Sequence, residues 1–569
     1  MVSGSGAPVI VASAAPRPTT RQRPVGRIGG VSGGAAPAAV PRLREALGAG
    51  ARILDVDGPV VADWDACWLH GRPVESLGRW HAIVVTGRLG DVEGAFALAW
   101  REPDGALALA RDAIGERTLY WAAVPGGIAF ASGVSALLAT GLVDRALDPA
   151  ALATYLSYAY VPGESTLLRD VREVLPAAVL RFANGVPVRE RLWSIPAEPD
   201  PDAPVDEEAL RLRLRERLER AVRRRLPAGE PVGAFLSGGV DSSLVVALAR
   251  RLHDKPVHTY SVSFGPGHPN ELAWSSLVAG HCGTEHRIVE ISPGAVLSHL
   301  DATVGRLGDP NGDPLTVPNA LLFREAADEV GVALNGEGGD PCFGGPKNLP
   351  MLLTEIFGDG ANANADPLAR ERSYLRAHAK CYDDLAAMLA PDVRAALADE
   401  PLERRLTPRL ADPGRRTLVG RLMALNVAFK GAHHILPKVD ALSAPFGIVA
   451  RSPLFDRAVV DAAFAIPPRL RLHGSVEKYL LKQAVRDVLP QAVVERPKSG
   501  MLVPVEGWFR GPLLPAARER LLDGLAPRGL VERRYLERLL AGRLGGLRPR
   551  RGAKIWLLLT LEAWLRALR

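Results

Sequence analysis

Residues 235–244, FLSGGVDSSL, restrict the fold more than any other stretch of the 569-residue chain. An apolar run over 231–236 reads as a buried strand, and the apolar spacing over 242–252 reads as a helix. Between them, Gly238 and Gly239 let the backbone approach a ligand without a Cβ in the way. The unpaired N–H groups of the helix start then point at an anion, and Ser237, Ser242 and Ser243 add hydroxyl donors. Asp241 cannot bind phosphate directly, but it can hold a Mg2+ ion that bridges phosphate oxygens. SGGxDSS after a buried strand is far more specific than a lone glycine-rich turn. No Gly-Lys-Ser/Thr ending is present, so this is not a Walker A loop.

The surrounding pattern extends the argument. Strand 231–236, helix 242–252, strand 257–264, helix 271–281, strand 285–292, helix 317–329 and strand 332–335 are predicted in alternation. Such alternation argues for a parallel sheet with helices on both faces. Ahead of it, Asp206, Glu207 and Glu208 open a helix that Arg223, Arg224 and Arg225 close, and Leu210, Leu214, Leu218 and Ala221 share one of its faces. Ligands of open parallel sheets sit beyond the carboxyl ends of the strands. Residues 334–340, LNGEGGD, end a predicted strand and should face the same crevice. Asp340 is then a second Mg2+ carboxylate beside Asp241, and Glu337 points at the reacting centre. Residues from about 370 onward look mostly helical.

Upstream the pattern is different. Short apolar runs at 82–86, 95–101, 106–111, 119–124, 127–131 and 178–182 are separated by turns at 103–105, 125–127 and 183–185. Residues 50–195 therefore read as a β-rich unit with one helix near 149–158. Pro196, Pro199, Pro201 and Pro204 mark a linker over 196–205. Residues 1–45, rich in Ala, Pro, Gly and Ser, read as a disordered tail. The domain expectation is thus a tail at 1–45, one domain at 46–195 and another at 206–569.

Cys67, Cys282, Cys342 and Cys381 lack close spacing, which argues against a disulfide scaffold and fits a cytoplasmic setting. No run approaches 18 apolar residues, so no membrane association is expected. Net charge is +7, with Arg-rich stretches at 211–225 and 548–554 that read as solvated surface; no nucleic-acid partner is expected. His433 and His434 lack a third ligand and read as a helix-end pair. Cys342 reads as packing, and Asp309 and Asp313 either line the crevice or cap turns.

The loop at 236–243 resembles that of ATP pyrophosphatases, which cleave ATP between its α- and β-phosphates. Together with 336–340, 436–440, 451–456 (RSPLFD), 477–481 (EKYLL) and Arg496, Pro497 and Lys498, it makes the second half similar to the asparagine synthetase superfamily. In the first half, 94–100 and 110–120 (ARDAIGERTLY) resemble the glutaminase domain of those enzymes. The fold implied is α/β: a β-rich, degenerate Ntn-hydrolase (glutaminase-like) domain, then a Rossmann-like ATP-pyrophosphatase domain with a helical extension. Two departures concern activity. The resemblance requires an N-terminal Cys nucleophile where this sequence has Val2, and its first Cys is Cys67. The family's Asn-Gly-Glu glutamine motif is replaced by Thr86, Gly87 and Arg88. The first domain is expected to be inactive, with the nitrogen nucleophile supplied by the substrate itself.

Two subfamilies share such a silent first domain. β-Lactam synthetases carry Tyr in place of Glu337 and a Glu where Pro437 falls. Residues 336–348 (GEGGDPCFGGPKN) and 374–385 (YLRAHAKCYDDL) look instead like lasso peptide cyclases. That resemblance implies adenylation, with ATP and Mg2+, of an Asp or Glu side chain in a linear core peptide. The peptide's N-terminal amine then closes a macrolactam, with AMP and pyrophosphate released. The implied partners are the linear core peptide of a ribosomally made precursor, a leader peptidase and a leader-recognition protein. A β-lactam- or carbapenam-type amide synthetase and a glutamine-hydrolysing asparagine synthetase are the alternatives. The resemblance assigns charge stabilisation to Lys498 and, secondarily, Lys478, and handling of the amine to Glu337. It assigns ATP and pyrophosphate to Leu236, Ser237, Gly238, Gly239, Asp241, Ser242, Ser243, Val262, Asn335 and Gly336, and the metal to Asp241 and Asp340.

Overall fold

A computed structural model describes residues 9–13, 27–32, 36–47, 51–54, 61–69, 72–73, 77–183, 185–268, 270–344, 366–378, 380–397, 401–496, 502–544 and 550–568. In the first unit, two six-stranded antiparallel sheets stack face to face. The strand Val92–Arg101 shows why its sequence is apolar almost throughout. Ala97 and Ala99 pack into the layer between the sheets with Ile128, Phe130 and Leu180. Phe96, Leu98 and Trp100 point the other way, onto Trp80 and Ile83 of the helix Leu77–Val85. Alternation with a period of two therefore serves two apolar layers at once.

Two expectations are corrected here. The run at 82–86, read as a strand, belongs to that helix Leu77–Val85. Trp80, Ile83 and Val84 form its buried stripe, with Trp80 at 5.2 Å from the Phe96 ring. A run of this length suits either structure until a covering surface decides. The expected disordered tail instead carries the strands Val9–Ser13 and Arg27–Val31 and the helix Ala36–Leu47. Arg27–Val31 pairs with Gly127–Ala131, and Ile28 and Val31 are fully buried. Its Gly29–Gly30 pair hides the strand from local propensity, while Leu43 packs where a Cβ on Gly29 would stand.

The second unit holds a five-stranded parallel sheet in the spatial order Glu285–Glu290, Val257–Ser263, Val232–Phe235, Val332–Leu334, Val449–Arg451. The chain builds outward from Val232–Phe235 in one direction, then crosses to the other side. The switch point lies between Val232–Phe235 and Val332–Leu334, where open parallel sheets bind ligands. The edge strand Val449–Arg451 comes from the region read as helical. Three residues are too few for a periodicity signal, and only pairing with Val332–Leu334 makes them a strand.

A continuous core joins the units. The helix Pro149–Tyr158 packs on the C-terminal helix Arg551–Ala567, where the Tyr155 hydroxyl donates to the Leu557 carbonyl at 2.9 Å. The proline-rich 196–205 segment is strapped down: buried Glu198 accepts from Thr417 and from Arg471 at 3.0 Å. Among the described residues, no helix is long and apolar enough to cross a membrane.

Candidate functional site

The strand Val232–Phe235 leads through Leu236–Gly239 into the helix Val240–Leu252. Gly238 has φ +76°, and a Cβ there would stand 2.5 Å from the Trp274 Cβ, so the turn requires glycine. Ser237 and Ser242 stiffen the loop from inside, their hydroxyls 3.0 Å apart, with the Ser237 N–H donating to Ser242 Oγ at 3.2 Å. From outside, Arg496 donates to the Gly238 carbonyl at 3.1 Å, pairs with Glu271 and lies over the Trp274 ring at 4.7 Å.

The second glycine-rich turn follows Val332–Leu334, so both turns open on one crevice of about 340 Å³. Leu236, Ser237, Gly239, Asp241, Ser242, Val262, Asn335, Gly336, Glu337 and Asp340 line it. Leu236 and Val262 are buried apolar surface. Asn335 accepts the Glu337 N–H at 3.0 Å through Oδ1, while its buried Nδ2 has no hydrogen-bond partner among the described residues. A buried amide donor without a partner is costly unless a ligand accepts from it.

Asp241 and Asp340 converge. The ammonium of Lys478 lies 2.5 Å from Asp241 Oδ2 and 2.6 Å from Asp340 Oδ1. Lys478 is buried and has φ +54°, a strained backbone for a residue with a side chain. Close backbone packing holds the pair together: a Cβ on Gly339 would stand 2.1 Å from the Asp241 Cγ. Two carboxylates near enough to share one ammonium also fit a hard, oxygen-liganded cation such as Mg2+.

Two expected residues are placed differently, and a third lies outside the described residues. Ser243 is fully buried in the helix and does not line the crevice. Successive helical residues diverge by about 100°, so Ser242 and Ser243 cannot both face one ligand. Gly238 turns its carbonyl to Arg496 and acts by shaping the loop. Lys498 lies outside the described residues. Lys478, secondary in the sequence reading, lies at both carboxylates.

Lys430, Tyr260, Asn319 and Phe323 also line the crevice and carried no motif. Lys430 belongs to the π-helix Asn426–Ile435, where it is the one lysine among apolar, glycine, asparagine and histidine residues; that isolation was its only sequence signal. Behind it, Asp313 accepts from Lys438 at 2.6 Å. Burial works against the Lys438 charge, but Asp313 and Glu337 hold its pKa above the usual lysine range. Asp309 serves the fold instead, accepting the Leu167 N–H at 2.8 Å. His433 pairs with Glu173 at 2.8 Å and His434 stacks on Tyr160, while Cys342 is wholly buried. No cluster of three or more His, Cys, Asp or Glu suited to a metal occurs among the described residues.

The crevice sets a glycine-rich loop against paired carboxylates at the switch point of a parallel sheet, an arrangement suited to a polyphosphate and a hard cation. The Asparagine synthase family matches residues 213–566, and a Glutamine amidotransferase domain matches 81–193. The chain belongs to the asparagine synthase family, whose members are ATP-dependent, amide-forming ligases. It is 26% identical over 500 residues to "Asparagine synthetase [glutamine-hydrolyzing] 1" of Bacillus subtilis, covering 83% of this chain and 77% of that protein. It is 27% identical over 427 residues to "Asparagine synthetase [glutamine-hydrolyzing] 3" of the same organism, covering 72% and 67%. With "Asparagine synthetase B [glutamine-hydrolyzing]" of Escherichia coli it shares 25% identity over 363 residues, covering 59% and 54%.

Proposed function

We propose that this ligase is an AMP-forming peptide macrocyclase. It adenylates an Asp or Glu side chain of a linear core peptide and joins that carbon to the peptide's own N-terminal amine. The observation that carries the reading is a contrast within the chain. The nucleotide-facing set of Asp241, Asp340, Lys478 and the orphan Asn335 amide is assembled. Residues 86–88, which the resemblance takes as the place of the glutamine motif, form an exposed turn whose Arg88 pairs with neighbouring Asp91 at 3.1 Å. The resemblance of 336–348 and 374–385 to lasso peptide cyclases supports a peptide as the source of the amine.

Asp241 and Asp340 would hold Mg2+ in this reading, which would supply charge neutralisation to the ATP phosphates. The peptide carboxylate attacks the α-phosphorus, and pyrophosphate leaves along the SGGVDSS loop. The acyl-adenylate has a far better leaving group than oxide. Lys478, with Lys498 on the resemblance, stabilises charge on phosphorus and then on the tetrahedral intermediate. Glu337 accepts the proton of the attacking amine. Holding amine and mixed anhydride together supplies roughly 7–11 kcal/mol of the barrier. A leader peptidase and a leader-recognition protein deliver the peptide in the cytoplasm.

The test is incubation of the full chain with ATP, Mg2+ and a linear core peptide. The expected result is AMP, pyrophosphate and a product lighter by one water. A second reading, glutamine-hydrolysing asparagine synthetase, is favoured by the names of the relatives above. Glutamate release from glutamine coupled to aspartate-dependent AMP formation would establish it and overturn the macrocyclase. ATP turnover only with a small β-amino acid would point to a β-lactam-type synthetase.

A further inference from the structure

A second cavity, of about 170 Å³, lies between the first unit and the π-helix Asn426–Ile435. Trp193, Ile195 and Phe429 give it apolar walls, and Arg189, Arg191 and Arg409 supply charge. Arg189 and Arg191 sit two apart on the edge strand Val186–Arg191, so they share a face. Arg189 is paired with Glu164. Among the described residues, neither Arg191 nor Arg409 has a carboxylate at ion-pair distance. Asp412, whose charge favours the Arg409 cation, lies 3.7 Å from Arg415. Burial first, and then the neighbouring Arg191 charge, hold the Arg409 pKa below the usual arginine range. Two like charges facing one cavity, with no carboxylate at ion-pair distance among the described residues, are the arrangement expected of an anion site.

The size and walls narrow the ligand. The volume is below the roughly 300 Å³ at which small-molecule and cofactor pockets begin, so it suits a side chain better than a nucleotide. Apolar walls beside two guanidiniums match a carboxylate next to a bulky apolar group.

We propose that this interdomain cavity recognises an acidic residue of the peptide substrate and its apolar neighbour, through Arg191 and Arg409. The site is separate from the adenylation crevice but shares a wall with it. The π-helix presents Ala432 and His433 to the cavity, and Lys430 and Ile435 to the crevice. The proposal rests on reading the substrate as a peptide, so binding is measured without ATP, in the wild-type chain and in Asp241→Asn. Loss of recognition and loss of adenylation are then separable.

The probes are the end-blocked tripeptides Ac-Leu-Glu-Phe-NH2 and Ac-Leu-Gln-Phe-NH2, titrated calorimetrically into the full chain. The glutamate peptide is expected to bind at least about tenfold more tightly, because the charge-assisted bond to the half-buried Arg409 is lost in the glutamine analogue. Arg191→Gln and Arg409→Gln should each remove most of that preference, and Asp241→Asn should leave it intact. Arg191→Glu, at an exposed position, provides a charge reversal that keeps the fold, checked by its melting temperature. Equal affinity for the two peptides, no binding of either, or no effect of the arginine variants overturns the proposal. Displacement of the peptide by equimolar inorganic phosphate overturns it too, since it marks a simple anion site.

Discussion

The nucleotide crevice and the turn at 110–120 are both dense in charge, yet they treat it in opposite ways. In the turn every charge is spent on the protein itself. Asp112 accepts the N–H groups of Phe96, Ile114, Gly115, Glu116 and Arg117. Arg111 donates to Glu173, to the Val174 and Gly115 carbonyls and, across the interface, to the Ala432 carbonyl at 3.2 Å. Glu116 meets Arg225, and Arg117 meets Asp440, which also holds Arg27. In the crevice, by contrast, one lysine serves two carboxylates and a buried amide donor has no hydrogen-bond partner among the described residues. Paired buried charge fixes geometry, whereas an unsatisfied donor lining a cavity marks where a ligand can bind. ARDAIGERTLY, which by resemblance pointed to a glutaminase domain, thus acts here as the clasp between the units.

The contrast can be broken or sharpened experimentally. The largest effect is expected from Asp241→Asn, which should lower product formation by at least about a hundredfold while the melting temperature stays near wild type. A wild-type rate would remove Asp241 from the site. Arg111→Met should behave in the opposite way. Leaving Glu173 to His433 alone and stranding several carbonyls in the interface should cost about 3–5 kcal/mol of stability in a denaturant titration, with residual activity tracking the folded fraction.

Lys478→Met leaves Asp241 and Asp340 facing each other without the ammonium. Added Mg2+ should therefore raise its melting temperature more than it raises that of wild type; equal shifts would separate the two carboxylates from the cation. Asp309 gives a pH test. Burial raises its carboxyl to about 8, above the ordinary aspartate value of 3.8. Its folded-state pKa is raised, so its favourable contribution is complete below pH 4 and is lost as pH rises through 8. Asp309→Asn should flatten that decline in melting temperature between pH 4 and 8. The smallest effect belongs to Arg88→Ala on the exposed turn, expected to change stability by less than about 0.5 kcal/mol and product formation not at all. A marked loss of glutamine-dependent activity in that variant would revive the glutaminase.

Much of the crevice was legible because its chemistry is local. SGGVDSS and GEGGD each bring donors, acids and glycines within a few residues, and strand–turn–helix order aims both at one end of the sheet. Lys430 was not legible, because a single lysine in a helix becomes a crevice residue only when the helix packs there. The same holds for Lys478, whose partners lie 237 and 138 residues earlier in the chain. The helix at 77–85 and the strand at 27–31 were misread for a related reason. Their apolar residues are too few for a period, and their conformations were settled by Phe96 and by the strand Gly127–Ala131.

By itself the sequence determined the α/β class, the order along the chain of four of the five parallel strands and the acids Asp241 and Asp340 of the two glycine-rich turns, because hydrophobic period and turn chemistry act over a few residues. Only the tertiary structure decided which lysine reaches those acids, which serine faces inward, and that the clasp at 110–120 uses up its charges. Burial and ion pairing are set by groups distant in the chain, and their energies exist only once packing has removed the water between them.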